Sequence, residues 1–214
     1  MPENDHCPAC WTSRSHIDTR DRDGPLAYRC PRCGHFECAD EETRNALARW
    51  TRHDHEARTR ASHGIRLRTD GQRTRARLDE PNAVVPPVRI DMEHAKHALG
   101  TPLPDVEGQV DALLSWAAEK AGANPAAYAS YKSKEHLAGV LGAFGEDGVA
   151  YILKYANRRE LIEDLGGGVH LTPEGWARVD AMRTKRGLLS WDDDVQARWL
   201  RKLPKKLDSD AAPA

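Results

Sequence analysis

The sequence predicts an α+β protein that is mainly helical, with a small cysteine-rich lobe ahead of a larger helical unit. Four of the five cysteines form two Cys-x-x-Cys pairs near the N-terminus. Beyond Pro104, helix-capping residues alternate with amphipathic segments, and a triple glycine at residues 166–168 separates two short apolar segments. A chain of 214 residues has room for one or two such folded units.

Residues 1–40 are predicted to form a zinc ribbon. Cys7 pairs with Cys10 and Cys30 with Cys33, and two such pairs supply the four thiolates of a closed tetrahedral site. A closed site leaves no position for water or substrate. We therefore expect one structural Zn²⁺ that contributes to folding.

Two disulfides are the alternative role for these cysteines. The first six residues contain no apolar stretch typical of a secretory signal, and disulfides are rare in the reducing cytoplasm. The sequence therefore favours zinc and a cytoplasmic location. Cys38 lies outside the spacing and is expected to be a small buried residue, and strands are expected at residues 26–29 and 35–38.

A basic segment follows the cysteine lobe. Residues 44–78 contain ten arginines and three acidic residues, a local charge of +7 in a chain of formal net charge −1. Asp40 is predicted to cap a helix that ends at Gly64, within a basic connecting helix of residues 41–70. The charge favours a polyanionic partner, and a solvated charged helix is the alternative. Five arginines are candidate phosphate contacts: Arg44, Arg49, Arg52, Arg58 and Arg60.

Residues 71–103 are predicted to be a linker and a short helix. Asp70-Gly71 and Pro86-Pro87 are typical breaks in regular structure. The five histidines between residues 53 and 97 form no coherent set of metal ligands, and we expect them at the surface: His53, His55, His63, His94 and His97.

Residues 104–186 are predicted to form a winged helix-turn-helix. Asp105 and Ser133 can cap the first two helices, and a third follows at residues 149–159. The triple glycine predicts the turn of a β-hairpin, and Thr172 can cap a closing helix. In helix-turn-helix proteins the recognition helix enters the major groove of DNA. The residues predicted to contact DNA form one exposed stripe on the third helix: Tyr151, Lys154, Tyr155, Arg158 and Arg159.

Residues 187–214 are predicted to contain an amphipathic helix and a disordered tail. Trp191 and Trp199 lie on the apolar face of this helix. The face either docks on the winged helix of the same chain or binds a partner protein.

The sequence contains no signature of an enzyme. It has no nucleophile elbow, no phosphate-cradling loop and no paired carboxylates beside a histidine. The triple glycine is followed by a predicted strand, so it lacks the helix N-terminus of a phosphate site. We expect a non-catalytic protein, and no apolar run is long enough to span a membrane.

The order of these motifs resembles the N-terminal regulatory region of certain bacterial multidomain proteins. The motifs are the Cys-Pro-Arg-Cys-Gly-His-Phe run at residues 30–36 and the segments 103–114 and 171–176, within about residues 5–186. In that group the region commonly precedes a TIR-like or nucleotide-processing effector, often in defence against phage. The resemblance implies a regulatory or sensor role. Only a short tail follows Gly187, so we expect any effector to be a separate protein.

Two functions remain open from the sequence. The chain is either a nucleic-acid-binding regulator, with DNA as the expected ligand, or a protein–protein adaptor that uses the same surfaces. Glu163 and Asp164 in the predicted wing favour the adaptor, as does the excess of seventeen acidic over fifteen basic residues in 101–214. A homodimer is compatible with both, although no interface signature indicates one.

Overall fold

The computed structural model describes residues 6–12, 16–18, 26–79, 85–122, 124, 126–131 and 133–185. These residues form helices and two small sheets, which confirms the mainly helical α+β class. In chain order the elements are β1 His16–Asp18, β2 Ala27–Cys30, β3 Gly34–Cys38, α1 Glu41–Thr51, α2 His55–Asp79, β4 Val88–Ile90, α3 Met92–Gly100, α4 Val106–Ala121, β5 Ala129–Ser130, α5 Lys134–Leu141, α6 Gly145–Arg158, β6 Ile162–Asp164, β7 Gly168–Leu171 and α7 Pro173–Lys185.

The first sheet has the strand order β1-β2-β3-β4. The first three strands are antiparallel, and β2 and β3 lie within one residue of their predicted positions. β4 joins the edge of β3 in parallel, with Phe36 opposite Val88 and Cys38 opposite Ile90. This strand falls in the predicted linker and was not expected. Its alternate residues Val88 and Ile90 are buried, so it completes the apolar interior of the N-terminal lobe.

Two helices replace the single basic helix that the sequence predicts. The side chain of Asp40 caps α1 by accepting a hydrogen bond from the Thr43 amide at 2.7 Å, as predicted. α1 ends at Thr51, and α2 then runs without a break through Gly64 to Asp79. The predicted helix end at Gly64 and the linker character of residues 71–79 are therefore wrong.

Gly64 has a packing role within α2. A Cβ at this position would lie 2.8 Å from the Cα of Ala98 in α3, which is closer than side chains approach. The glycine thus allows α2 and α3 to cross at close range. Glycine destabilises a helix interior by only about 1 kcal/mol relative to alanine, so tertiary contact can easily outweigh its tendency to end a helix.

The second unit contains α4 to α7 and a sheet of strand order β5-β7-β6. Side-chain oxygens of Asp105, Ser133 and Thr172 accept hydrogen bonds from the first turns of α4, α5 and α7, at 2.7, 3.2 and 3.1 Å. Asp105, Ser133 and Thr172 thus cap their helices as predicted, and β6 and β7 form an antiparallel hairpin. The short strand β5 was not predicted, and it pairs with β7.

One apolar cluster fills the interior of this unit. Its fully buried side chains come mainly from α4, α5 and α6, and they include Leu113, Leu114, Leu137, Leu141 and Ile152. A second cluster fills the N-terminal lobe around Phe36, Leu47 and Ile65. Helix α2 connects the two, because its His63 is buried and its Nδ1 lies 2.8 Å from the carbonyl oxygen of Gly139 in α5. The expectation that His63 lies at the surface is therefore wrong.

Candidate metal centre and cationic surface

Cys7, Cys10, Cys30 and Cys33 converge on one point in the N-terminal lobe. Their four Sγ atoms lie within 4.8 Å of one another. The Cys7–Cys33 and Cys10–Cys30 sulfur pairs are 3.7 and 3.4 Å apart. The edge of a ZnS₄ tetrahedron with bonds of about 2.3 Å is about 3.8 Å, whereas a disulfide requires about 2.05 Å. The spacing fits four ligands around a metal ion, and all four are free thiols.

The backbone of each Cys-x-x-Cys turn directs its sulfurs inward. The Cys33 amide donates to the Cys30 Sγ at 3.4 Å, and the Trp11 amide donates to the Cys7 carbonyl at 2.9 Å. Each turn ends in a residue with a positive φ angle, Gly34 at 91° and Trp11 at 59°. Glycine adopts this conformation easily, but a bulky residue rarely does. The tryptophan is therefore held there by contacts of its side chain.

Burial and hydrogen bonding shift the pKa of three of the clustered thiols when no cation is bound. Burial raises the pKa of Cys7 and Cys33 well above the usual value. Burial acts in the same direction on Cys10, but hydrogen bonds from neighbouring thiols and Thr12 outweigh it, and the pKa of Cys10 is lowered. Several adjacent thiolates are stable in such a site only when a cation balances their charge.

Cys38 is excluded from the metal group. It lies on β3 and is 2 % exposed, as expected for a small buried residue. Burial raises the pKa of its thiol to about 12, so it is protonated and unreactive at neutral pH.

Arg32 joins the second cysteine turn to the helical unit. Its side chain is buried, and Nη2 donates to Thr59 Oγ1 of α2 at 3.2 Å and to the carbonyl oxygen of Ala143 at 2.9 Å. Its Nη1 lies 3.9 Å from the Glu135 carboxylate on α5. The predicted ribbon and the predicted winged helix are thus in direct contact through a side chain that sequence analysis did not single out.

Trp11 joins the first cysteine turn to α1 and α2. Its Nε1 donates to Thr51 Oγ1 at 2.9 Å, and that hydroxyl in turn contacts the Pro8 carbonyl at 2.9 Å. The guanidinium groups of Arg52 and Arg58 lie 5.8 and 5.9 Å from the centre of the indole ring, within the range of cation–π attraction. These contacts explain why a bulky residue occupies the left-handed position.

The five arginines proposed as phosphate contacts fall into two groups. Arg58 and Arg60 are engaged within the protein: Arg58 donates to the last carbonyls of α1, and Arg60 pairs with Glu56. Arg44, Arg49 and Arg52 instead line a cavity of about 330 Å³ between the first cysteine turn and α1. Arg44 also pairs with Glu41 at 3.2 Å. The cavity lining also includes four aromatic side chains: His6, Trp11, Tyr28 and His53.

The five residues of the predicted DNA-contacting stripe on α6 are also divided. Tyr151, Lys154 and Arg158 are exposed. Tyr155 and Arg159 both contact Glu107 of α4, with the Tyr155 hydroxyl 2.6 Å from its Oε1. Arg178 of α7 pairs with the other oxygen of Glu107 at 2.8 Å. The hydrogen bond from Tyr155, followed by that from Arg178, lowers the pKa of Glu107.

Acidic and apolar residues surround the exposed part of α6. Glu146 and Asp147 lie in its first turn, and Glu163 and Asp164 lie on β6. All four are exposed, and Leu165 at the tip of the hairpin is 61 % exposed. This surface differs strongly in charge from the arginine-rich cavity beside the first cysteine turn. The predicted partner-binding residues Trp191 and Trp199 lie outside the described residues.

Sequence analysis missed Trp11, His6 and Tyr28 as neighbours of the arginines. One signal was available: Trp11 stands immediately after the first cysteine pair, where Gly34 follows the second. A large residue at a position that favours glycine indicates that its side chain is needed. No local pattern pointed to His6 or to Tyr28, which lies on β2 and stacks on Phe36.

Comparison with protein-family models, characterised proteins and solved structures finds no match to this chain. Among the described residues, no helix is both long and apolar enough to cross a membrane.

Proposed function

We propose that the chain is a non-catalytic nucleic-acid-binding regulator, a zinc ribbon joined to a winged helix-turn-helix. DNA is the ligand we favour. The observation that carries the proposal is the convergence of Arg44, Arg49 and Arg52 on one cavity whose lining includes no carboxylate. Arginines that face a common space repel one another, and an anionic partner relieves that repulsion.

Zn²⁺ is the metal we assign to the four cysteines. Four thiolates at tetrahedral spacing suit zinc, and four-coordinate sites of this kind are structural. A divalent ion bound by four thiolates supplies no open position for chemistry. Its role would be to fix the two turns that carry Trp11 and Arg32.

The winged helix assignment rests on element order. A helix, a short strand, two helices and a two-stranded hairpin follow one another as α4, β5, α5, α6, β6 and β7, and the three strands form one sheet. In this arrangement α6 is the recognition helix and the β6–β7 hairpin is the wing. Tyr151, Lys154 and Arg158 are its exposed residues for contact with DNA.

A salt series tests this proposal. The metal-loaded chain is titrated into a labelled random-sequence duplex at increasing salt, and the affinity should fall linearly on a log–log plot because bound counterions are released. Arg49→Ala should weaken binding and make the slope shallower by about one phosphate contact. Arg68→Ala is a matched control, since Arg68 is exposed on α2 and does not line the cavity. Absence of binding at low salt would exclude the nucleic-acid function.

A protein–protein adaptor is the second candidate, favoured by the charge around α6. Exposed Glu163 and Asp164 on the wing would repel a phosphate backbone, and exposed Leu165 and Tyr151 suit a protein interface. The partner would be an effector or transcription protein, in line with the resemblance to bacterial defence regulators. Binding of such a partner that is abolished by Leu165→Asp, with no duplex binding by the chain, would favour this candidate over the first.

A further inference from the structure

The cavity between the first cysteine turn and α1 differs in its charge from two other cavities in the described part of the chain. Arg44, Arg49, Arg52, His6 and His53 line it, and no acidic side chain does. Two other cavities, of about 330 and 250 Å³, also contain arginines, but Asp70 lines both. Positive charge in the first cavity is therefore not balanced by its own walls.

His6 lines this cavity and has one unsatisfied polar atom. Its Nδ1 is buried and has no hydrogen-bond partner among the described residues. A buried polar atom left without a partner costs about 1–3 kcal/mol, so native proteins normally satisfy it with protein, water or ligand. Because Nδ1 is buried, the His6 ring would have to rotate toward the cavity for a ligand oxygen to provide that partner.

The carboxylate that pairs with Arg44 is weakly held. Glu41 pairs with Arg44 at 3.2 Å from outside the cavity, and the Glu41 side chain is 78 % exposed. Exposed ion pairs of this kind contribute little to stability. Arg44 can therefore exchange this partner for a ligand at small cost.

We propose that this cavity binds the phosphate of a phosphate monoester, either in a free nucleotide or at the end of a nucleic-acid strand. A monoester carries a charge of about −1.5 to −2 and three acceptor oxygens, whereas a backbone diester carries a single charge. Three guanidinium groups and a histidine match the monoester better. A concave site of about 330 Å³ has room for such a terminal group.

This inference rests on the proposed function for the kind of ligand, and it adds terminal phosphates to the backbone phosphates that the same arginines would contact. Guanidinium groups form paired, charge-assisted hydrogen bonds with phosphate oxygens. The indole of Trp11, already flanked by Arg52 and Arg58, keeps the Arg52 guanidinium at the cavity. The first cysteine turn thus contributes to the site through Trp11 and His6, and both positions depend on the cysteine cluster.

The test is a calorimetric titration of the full, metal-loaded chain with adenosine 5′-monophosphate and with adenosine. The monophosphate should bind at least about tenfold more tightly, since one charge-assisted hydrogen bond alone accounts for about that factor. Arg49→Ala should weaken monophosphate binding about tenfold, and Arg49→Lys should lie between Arg49→Ala and the unmodified chain. Arg68→Ala should have no effect. Equal affinity for the two ligands, or equal effects of Arg49→Ala and Arg68→Ala, would overturn the inference.

A second arm distinguishes the two sources of the phosphate. Two labelled single-stranded oligonucleotides of one sequence, one with a 5′-phosphate and one with a 5′-hydroxyl, are titrated in the same way. Preference for the 5′-phosphate supports a strand end as ligand, whereas binding of the mononucleotide alone supports a free nucleotide. Duplex binding without any monophosphate binding would overturn this inference and leave the proposed function intact. Monophosphate binding without duplex binding would support this inference and exclude duplex binding as the function.

A structural role for the arginines gives a different result. Four thiolates around Zn²⁺ carry a net charge of −2, and nearby guanidinium groups would stabilise that charge. If this were their only role, Arg49→Ala would accelerate metal loss to a chelator and leave binding of adenosine 5′-monophosphate unchanged. That outcome would overturn the proposed phosphate site.

Discussion

The carbonyl oxygen of Arg32 lies directly against Gly139 of α5. A Cβ at position 139 would come within 1.9 Å of that oxygen, far inside any allowed contact. The second cysteine turn therefore rests on the helix backbone itself, and the side chain of Arg32 reinforces the contact through Thr59 and Ala143.

Gly139→Ala should separate these two surfaces. We expect it to lower the free energy of unfolding by about 1–3 kcal/mol, because the turn and helix must move apart to admit a methyl group. Urea unfolding of the metal-loaded chain measures the change. Gly71→Ala is the matched control: no atom lies within 4 Å of the added methyl group on α2, and the substitution should raise stability by about 0.5–1 kcal/mol. Equal effects of the two substitutions would contradict the close contact.

Removal of the metal should unfold the N-terminal lobe and leave the helical unit folded. The four ligands belong to one apolar cluster, and the core around Leu113 and Ile152 contains none of them. Hydrogen exchange after chelation should accelerate in β2, β3 and α1 and change little in α4 and α6. Uniform acceleration throughout the chain would show instead that the two clusters unfold together.

Metal stoichiometry should depend on the four clustered cysteines and not on the fifth. Cys30→Ser removes a ligand and should reduce bound metal well below one ion per chain, measured by elemental analysis after purification. Cys38→Ala should retain one ion, although it costs some stability because Cys38 is buried. If Cys38→Ala lost the metal and Cys30→Ser retained it, the ligand set would be misassigned.

Glu107→Gln should strengthen binding of duplex DNA by the chain, if α6 is the recognition helix. The carboxylate holds Tyr155 and Arg159 against α4, so its neutralisation weakens both contacts and removes a negative charge. The expected gain is a few-fold in affinity with a steeper salt dependence, since exposed ion pairs contribute roughly 0.2–1 kcal/mol. Glu174→Gln, an exposed acid on α7, is the control. Unchanged affinity would show that α6 does not contact the nucleic acid.

Acidification should destabilise the chain in part through His63. Burial lowers the pKa of His63 below the usual 6.5. At a pH between the lowered pKa of the folded state and 6.5, the unfolded chain binds a proton that the folded chain does not. Stability therefore falls as the pH drops through this window. In urea unfolding at about pH 7.5 and about pH 5.5, His63→Gln should lose less stability on acidification than the unmodified chain.

His97→Gln provides the comparison for this effect, because His97 is exposed on α3. It should show the same response to acidification as the unmodified chain. If His63→Gln and His97→Gln respond alike, the buried histidine does not titrate as described.

Local chemistry accounts for what the sequence predicts correctly. Asp40, Asp105, Ser133 and Thr172 each satisfy amides in the first turn of their own helix, so their effect is visible within four residues of sequence. The cysteine cluster is predictable for a similar reason, since two short turns determine where the sulfurs point.

Contacts between distant segments account for the errors. Gly64 has the sequence signature of a helix end, but Ala98 requires a residue without a side chain at that crossing. β4 follows two prolines in a segment typical of a linker, and only the open edge of β3 makes it a strand. Likewise, the binding of Tyr155 and Arg159 to Glu107 depends on how α4 and α6 pack, which their own helical patterns do not reveal.

The late arrival of β4 has a consequence for biosynthesis. All four clustered cysteines leave the ribosome early. β4, which covers the sheet edge, and Ala95 and Ala98, which close the apolar cluster, lie in residues 88–98 and are synthesised some fifty residues later. A nascent chain that ends near residue 40 already contains all four clustered cysteines but cannot exclude water from Phe36. The apolar interior of the lobe is therefore complete only after α3 has been synthesised. A fragment of residues 1–40 would lack about half of the residues that form this interior.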